Sequence, residues 1–197
     1  MIKKLGWLVI LFTLPFILLS GCGELGKVDQ GRVIKFDKTK RTVTIVKNIN
    51  GDYQLPPVTY ELPTDPKEMG PEPKVGMRLK LDTINNKMLI FDAATQNLKT
   101  VNYRLIEKKE NVGKEDPLVY DKRADKPKDF PVVDRAGKTI TVYSKKQKIL
   151  VTFSLPDEYF ALPDNTWGAG DEVRIYYKEE GKAGRFMNVS KTDIFKK

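Results

Sequence analysis

Asp37-Lys38-Thr39-Lys40-Arg41-Thr42-Val43-Thr44-Ile45 returns 97 residues later (134 − 37 = 97) as Asp134-Arg135-Ala136-Gly137-Lys138-Thr139-Ile140-Thr141-Val142. Both copies read as an acid, three turn residues, a base, then Thr-[Val/Ile]-Thr-[Val/Ile]. A polar turn followed by strict alternation of β-branched residues is the pattern of a hairpin entering a half-buried strand. The likeness continues downstream. Tyr60-Glu61-Leu62-Pro63 answers to Phe153-Ser154-Leu155-Pro156, and Gly76-Met77-Arg78-Leu79-Lys80-Leu81 to Gly170-Asp171-Glu172-Val173-Arg174-Ile175. A last strand closes each copy, around Lys87 to Phe91 and around Arg185 to Val189.

Period two runs through these strands. Ile149, Val151, Phe153 and Leu155 oppose Leu150, Thr152 and Ser154, and Val173, Ile175 and Tyr177 oppose Arg174, Tyr176 and Lys178. One apolar and one polar face describes antiparallel strands wrapped on a core. Between the third and fourth strand of each copy the pattern predicts a short helix. In the first copy Asp65 is the N-cap, Pro66 the first helical residue and Glu68 the third, a capping box. In the second, Pro156 precedes Asp157 and Glu158, with Tyr159 and Leu162 three apart. The expected fold is all-β: two tandem five-stranded OB-like barrels, residues 31–106 and 130–197, joined by a charged linker over 107–129. Leu98 to Ile106 reads as an added strand with Val101, Tyr103 and Leu105 on one face. SH3-like barrels or one merged β-sandwich of about ten strands fit the same pattern.

The N-terminus supplies an address. Lys3 and Lys4 precede an apolar core, Leu5 to Leu19, shorter than the roughly 20 residues of a spanning helix and interrupted by Pro15. Leu19-Ser20-Gly21-Cys22 then resembles the lipobox of bacterial lipoproteins, in which the thiol takes a diacylglyceryl group and the signal peptide is removed. Residues 1–21 therefore read as a lipoprotein signal peptide, Cys22 as the lipidation site carrying acyl chains such as palmitate, and 22–30 as a tether. Acyl chains contribute about 0.8 kcal/mol per buried methylene, enough with two chains to hold a protein on a bilayer. Gly23 stands where Asp commonly retains Gram-negative lipoproteins in the inner membrane. The expected location is the cell envelope, at the outer membrane facing the periplasm.

Composition narrows the chemistry. The chain has no histidine and one cysteine. Ser-His-Asp and Cys-His catalysis lack their base, and the usual zinc, copper and haem sites lack their ligands. No EF-hand loop, Walker A or dinucleotide fingerprint is present. We therefore expect no catalytic residue, no cofactor and no metal. Lys3 and Lys4 fall in the signal segment, leaving 33 of the 35 basic residues against 26 acids, a mature charge of +7. Anionic lipid, acidic glycan or an acidic partner suits that balance, as does a plain lysine-rich surface.

The run Val58-Thr59-Tyr60-Glu61-Leu62-Pro63-Thr64-Asp65-Pro66 to Gly70-Pro71-Glu72-Pro73, behind the lipobox and Gly31-Arg32-Val33-Ile34, resembles an uncharacterised bacterial lipoprotein family. The family is classed as a domain of unknown function and occurs in anaerobic sulfate- and metal-reducing bacteria. The resemblance implies an envelope location and carries no functional residues.

Three sets of side chains remain as candidates. Asp65, Glu68 and Glu72, in the proline-stiffened run Leu55 to Gly76, suit a cation or basic partner, or else cap and solvate a lid over the barrel end. Tyr159, Phe160, Trp167 and Tyr176 suit stacking on sugars, or else plug a core. Lys35, Lys38, Lys40 and Arg41 are expected near the headgroups, because the eight residues Gly23 to Gln30 reach at most ~29 Å. A version lacking residues 1–22 is then expected to bind anionic vesicles weakly and in a salt-sensitive way. The leading expectation is a non-catalytic, membrane-anchored envelope module that docks on a protein partner, with no nucleic acid involved. The alternatives are a binding module for acidic glycan or anionic lipid, and a hydrolase working through Glu61, Asp65 or Glu68.

Overall fold

A computed structural model describes residues 25–192; the expected signal peptide, 1–21, and the expected lipidation site Cys22 lie outside them. The described chain is all-β. Its strands are β1 (Lys27–Asp37), β2 (Thr42–Ile49), β3 (Asp52–Glu61), β4 (Arg78–Asp82), β5 (Lys87–Asp92), β6 (Asn97–Asn102), β7 (Arg104–Lys109), β8 (Tyr120–Asp121), β9 (Lys126–Pro127), β10 (Val132–Asp134), β11 (Thr139–Ser144), β12 (Ile149–Ser154), β13 (Glu172–Glu179) and β14 (Lys182–Asn188).

Five strands form a ring in the order β1, β13, β14, β3, β2. The neighbours are antiparallel except at the last seam, where β14 meets β3 through one parallel pair, Lys182 with Glu61. Glu61 N donates to Gly181 O there at 2.8 Å. The register runs from Lys27 across to Tyr177 and Ala183, then from Lys182 to Glu61, Thr42 and Asp37. One circuit of the ring thus climbs about ten residues along β1, the strong stagger a small ring needs if side chains are to fill it. Val33, Val43, Ile45, Tyr60, Val173, Ile175 and Phe186 fill this interior and are essentially inaccessible. Each such side chain contributes roughly 1.5–3 kcal/mol by leaving water.

The second lobe sets one sheet, β10-β11-β12-β7, against another, β4-β5-β6. Ile140, Val142, Val151 and Phe153 from the first share a core with Met88, Ile90 and Val101 from the second. The chain leaves β6 and bends at buried Tyr103 into β7, so one strand path closes that edge. Val101 and Tyr103 are buried and Leu105 packs against the same core, the face expected of the added strand. The lobes meet where Ile34 and Val46, outside the ring, pack on Leu79 and Phe91.

The tandem arrangement expected from the repeat is not the one that pairs. The hairpin β13–β14 belongs by sequence to the second copy, yet it completes the ring with β1 to β3 of the first. The hairpin β4–β5 of the first copy faces β11 and β12 of the second. Each lobe is completed by the other copy's hairpin, so strand pairing crosses the expected 31–106 and 130–197 division. The two connections responsible zip together as they pass. Val33 N donates to Asp171 O (3.0 Å), Met77 N to Asn165 O (3.1 Å), Arg78 N to Gly168 O (3.0 Å) and Asp171 N to Lys74 O (2.9 Å).

The expected helices shrink to single 3-10 turns, Pro66–Glu68, Asp157–Ala161 and Asp164–Thr166. Beyond these turns the backbone bonds to other elements, Gly70 N to Phe186 O, Gly76 N to Val33 O and Met77 N to Asn165 O. Nor is 107–129 a free linker. It holds the end of β7 and the small β8–β9 hairpin. Val112 and Val119 from it bury Leu150 on the outer face of β12, which explains why an apolar residue stands at that outward position.

One turn design joins most hairpins. Asp37, Asp82, Asp92, Asp121 and Asp134 each accept backbone N–H bonds from residues two or three ahead. The residue four ahead is then left-handed: Arg41, Asn86, Gln96, Asp125 and Lys138 have φ of 48° to 56°. Ser144 and Lys148 repeat the scheme. The acid and base that mark the sequence repeat are therefore the two ends of one turn.

Candidate functional site

The end of the ring where the chain enters is the best defined candidate. The expected tether 22–30 is shorter than read, because Lys27 to Gln30 already pair with Tyr177 to Arg174. Four residues, Gly23 to Gly26, separate Cys22 from the ring, a reach of at most ~14 Å. Gly26 lies flat against the Tyr176 ring, where a Cβ would come within 2.2 Å of a ring carbon. The same end carries the β2–β3 turn, since Ile49 pairs with Asp52, and the β13–β14 turn, since Glu179 pairs with Lys182.

Apolar side chains gather here. Leu25 (95 % exposed), Val28 (60 %), Ile49 (55 %), Leu55 and Tyr176 are five of the nine large hydrophobic side chains that stand exposed among the described residues. Val28 and Tyr176 are direct cross-strand partners. Three ion pairs stand among them: Lys27 to Glu180 at 3.0 Å, Lys182 to Glu179 at 2.8 Å and Lys47 to Asp29 at 3.7 Å. The Glu179 bond raises the Lys182 pKa, favouring its charged form. This end thus exposes apolar side chains from several strands among paired charges. Inside the ring at this end, buried Tyr60 donates to Asp29, with the Tyr177 ring 5.3 Å away. Burial first, and the Asp29 bond second, push the Tyr60 hydroxyl far above its ordinary pKa.

Lys35, Lys38, Lys40 and Arg41 lie elsewhere. They occupy the far end of eleven-residue β1 and the turn beyond it, roughly 30 Å of extended strand from Lys27. Arg41 donates to Pro63 O, and Lys38 pairs with Glu72 at 2.5 Å.

The proline-rich run straps the ring. Gly70 N donates to Phe186 O (2.8 Å), and fully buried Asn188 donates Nδ2 to Pro71 O (3.2 Å) and to Asp171 Oδ2 (2.9 Å). Its three acids do not converge. Asp65 Oδ1 caps Lys67 N at 2.9 Å, Glu68 faces Arg185 at 3.5 Å, and Glu72 takes Lys38. Glu61 lies at the β3–β14 seam. The reciprocal half of the expected capping box is absent, because Glu68 turns to Arg185 instead. Glu68, Tyr176, Gly184 and Arg185 line an open groove on the outer face of the ring. Among the described residues no three acidic, histidine or cysteine side chains are set to hold a metal.

The aromatics divide. Trp167 is fully buried and Phe160 nearly so, both in the second lobe's core. Tyr159 covers Trp167 edge-on at 6.1 Å, with Lys99 Nζ 4.8 Å from its ring centre. Only Tyr176 of the four stands exposed. Sequence reasoning missed Arg78, which is 7 % exposed and donates to Trp167 O at 2.8 Å. Burial, then Arg32 beside it, lowers the Arg78 pKa to about 10. Arg32 donates to Gly170 O at 2.8 Å and to Tyr53 Oη at 3.0 Å. Two guanidiniums thus pin the segment that crosses between lobes. In sequence each looks like a polar-face residue.

Residues 24–197 match the model of a family described as a domain of unknown function, DUF4881, and the chain belongs to that family. No curated protein and no solved structure matches it.

Proposed function

We propose that this chain is a lipid-anchored envelope module that works by docking on a protein partner, without catalysis. The observation that carries the reading is Leu19-Ser20-Gly21-Cys22, with the chain's single cysteine four residues ahead of Gly26. Acylation there holds the ring against a membrane, at the outer membrane facing the periplasm in a Gram-negative cell. Of the carboxylates a hydrolase would use, Asp65 caps Lys67 N, Glu68 faces Arg185 and Glu61 lies at the β3–β14 seam, which favours a binding surface over an acid–base pair. The ring's strand order, with a parallel last seam, supports an OB-like description of that lobe.

Replacing Cys22 by Ser tests the anchor. The variant should accumulate as an unprocessed precursor that takes up no labelled fatty acid; normal maturation would sink the reading. Cross-linking in native membranes should then recover one stoichiometric protein partner.

One feature favours a second reading, a module for acidic glycan. The open groove sets the exposed Tyr176 ring beside Arg185. Sugar stacking there would be lost in Tyr176→Ala, and unchanged glycan retention by that variant would exclude the groove.

A further inference from the structure

We propose that the entry end of the ring lies in the interfacial layer of the bilayer, with Leu25, Val28, Ile49 and Leu55 entering the headgroup region. This rests on acylation of Cys22. Two residues, Gly23 and Glu24, separate Cys22 from Leu25, a span of at most ~11 Å over three residue steps, so the glycerol of the anchor and the apolar patch share one depth zone. An orientation that lifts the patch clear of the lipid must stretch that leash fully while leaving four aliphatic side chains in water.

The charges argue for the same contact. Three lysines at this end are each paired with an acid, so these pairs present neither a net attraction to anionic lipid nor a net repulsion. Contact is then driven by apolar burial and tolerates zwitterionic lipid and salt. This replaces the salt-sensitive binding expected from a basic face at the membrane. Lys38 and Lys40 stand on the β1–β2 turn, at the opposite end of β1 from Leu25. The membrane thereby selects which surface remains open to a partner.

The test uses the full acylated protein in phosphatidylcholine vesicles. Because the only native thiol carries lipid, a cysteine placed by Ile49→Cys or Lys40→Cys takes an environment-sensitive fluorophore selectively. Both positions are exposed, and circular dichroism checks the fold. Doxyl-labelled lipid should quench the label at 49 several-fold more than the label at 40, with no change between low and high salt. Mass spectrometry of the mature N-terminus reports acylation independently. Acylated protein whose label at 49 escapes the lipid quencher overturns the orientation alone, including the case in which a protein covers the patch and shields it from iodide. Absence of acylation overturns the anchored reading itself.

Discussion

Gly76 and Gly170 lie against each other where the two long connections cross. A Cβ on Gly76 would stand 2.6 Å from Gly170 N and 2.3 Å from Gly168 O, and one on Gly170 would stand 2.0 Å from Val33 O. These are backbone atoms held by ladder bonds, so nothing flexible can yield. Gly170→Ala and Gly76→Ala should each destabilise by roughly 1–3 kcal/mol or more, as overpacking does. Gly113→Ala, with no atom within 4 Å of the added carbon, is the control and should change little. Urea unfolding of the three variants decides it; a tolerated alanine at 170 contradicts the crossing geometry.

Exchange of hairpins makes the halves interdependent. Residues 25–114 hold three of the ring's five strands, and residues 115–192 hold the other two together with β10 to β12. Neither fragment should fold alone as a monomer, because each lacks a hairpin covering its core. Mixing them should restore the full β spectrum and one cooperative transition. A fragment 25–114 that is monomeric and cooperatively folded by itself would show that the hairpins are not exchanged in solution.

What was legible in the sequence follows from this. Alternation placed nearly every strand, since a half-buried strand must show period two. Pairing was hidden because the repeat itself makes β4–β5 and β13–β14 interchangeable: both read as Gly, a short polar step, then alternating apolar residues. Only contacts between distant residues, such as Gly76 with Gly170, choose one partner. The start of β1 was hidden differently. Lys27-Val28-Asp29-Gln30 buries no aliphatic side chain, because Val28 faces solvent and Asp29 turns inward to Tyr60. The entry patch was illegible for the same reason, being assembled from three separate strand ends.

The acid-headed turns give the molecule an acid-sensitive contribution. Hydrogen bonds hold Asp82 and Asp92 below the ordinary carboxylate value of 3.8, Asp82 mainly through the Asn85 side chain and Asp92 through Ala94 N. With folded pKa values depressed, their stabilisation is present above 3.8 and is lost as pH falls through the folded values. Asp82→Asn should be less stable than the parent at pH 7 and lose less on acidification. Parallel denaturant midpoints from pH 7 down to pH 2 measure it; a constant gap between the two proteins argues against the turn as its source.

Left-handed lysines should be improvable. Lys148 adopts φ 54°, a region where a side chain is disfavoured by roughly 1–2 kcal/mol and glycine is not. Lys148→Gly should raise stability by about 0.5–1 kcal/mol after glycine's own entropy is subtracted. Lys146→Gly, in the same turn without positive φ, should not. Thermal midpoints that move equally for both variants would mean that the turn is not strained at Lys148.

Tyr60 and Asp29 make the ring sensitive to alkali. The hydroxyl is buried and donates to the carboxylate, and both effects hold its folded pKa far above the unfolded value of 10.0. An acid with a raised folded pKa stabilises fully below the unfolded value. Its contribution declines as pH rises from there toward the folded value, because only the unfolded chain releases the proton. Tyr60→Phe removes a hydrogen bond to a charged acceptor and should cost about 1.5–3 kcal/mol at pH 7. Asp29 keeps Lys47 at 3.7 Å, so the variant should still fold. Between pH 10 and pH 12 the parent should lose stability faster, and the gap should narrow. Tyr103 and Tyr143, also raised by burial, titrate in both proteins and leave a shared slope. Urea midpoints at pH 7, 10 and 11.5 separate these contributions. A gap that stays constant or widens would place the titrating hydroxyl outside the Tyr60–Asp29 bond.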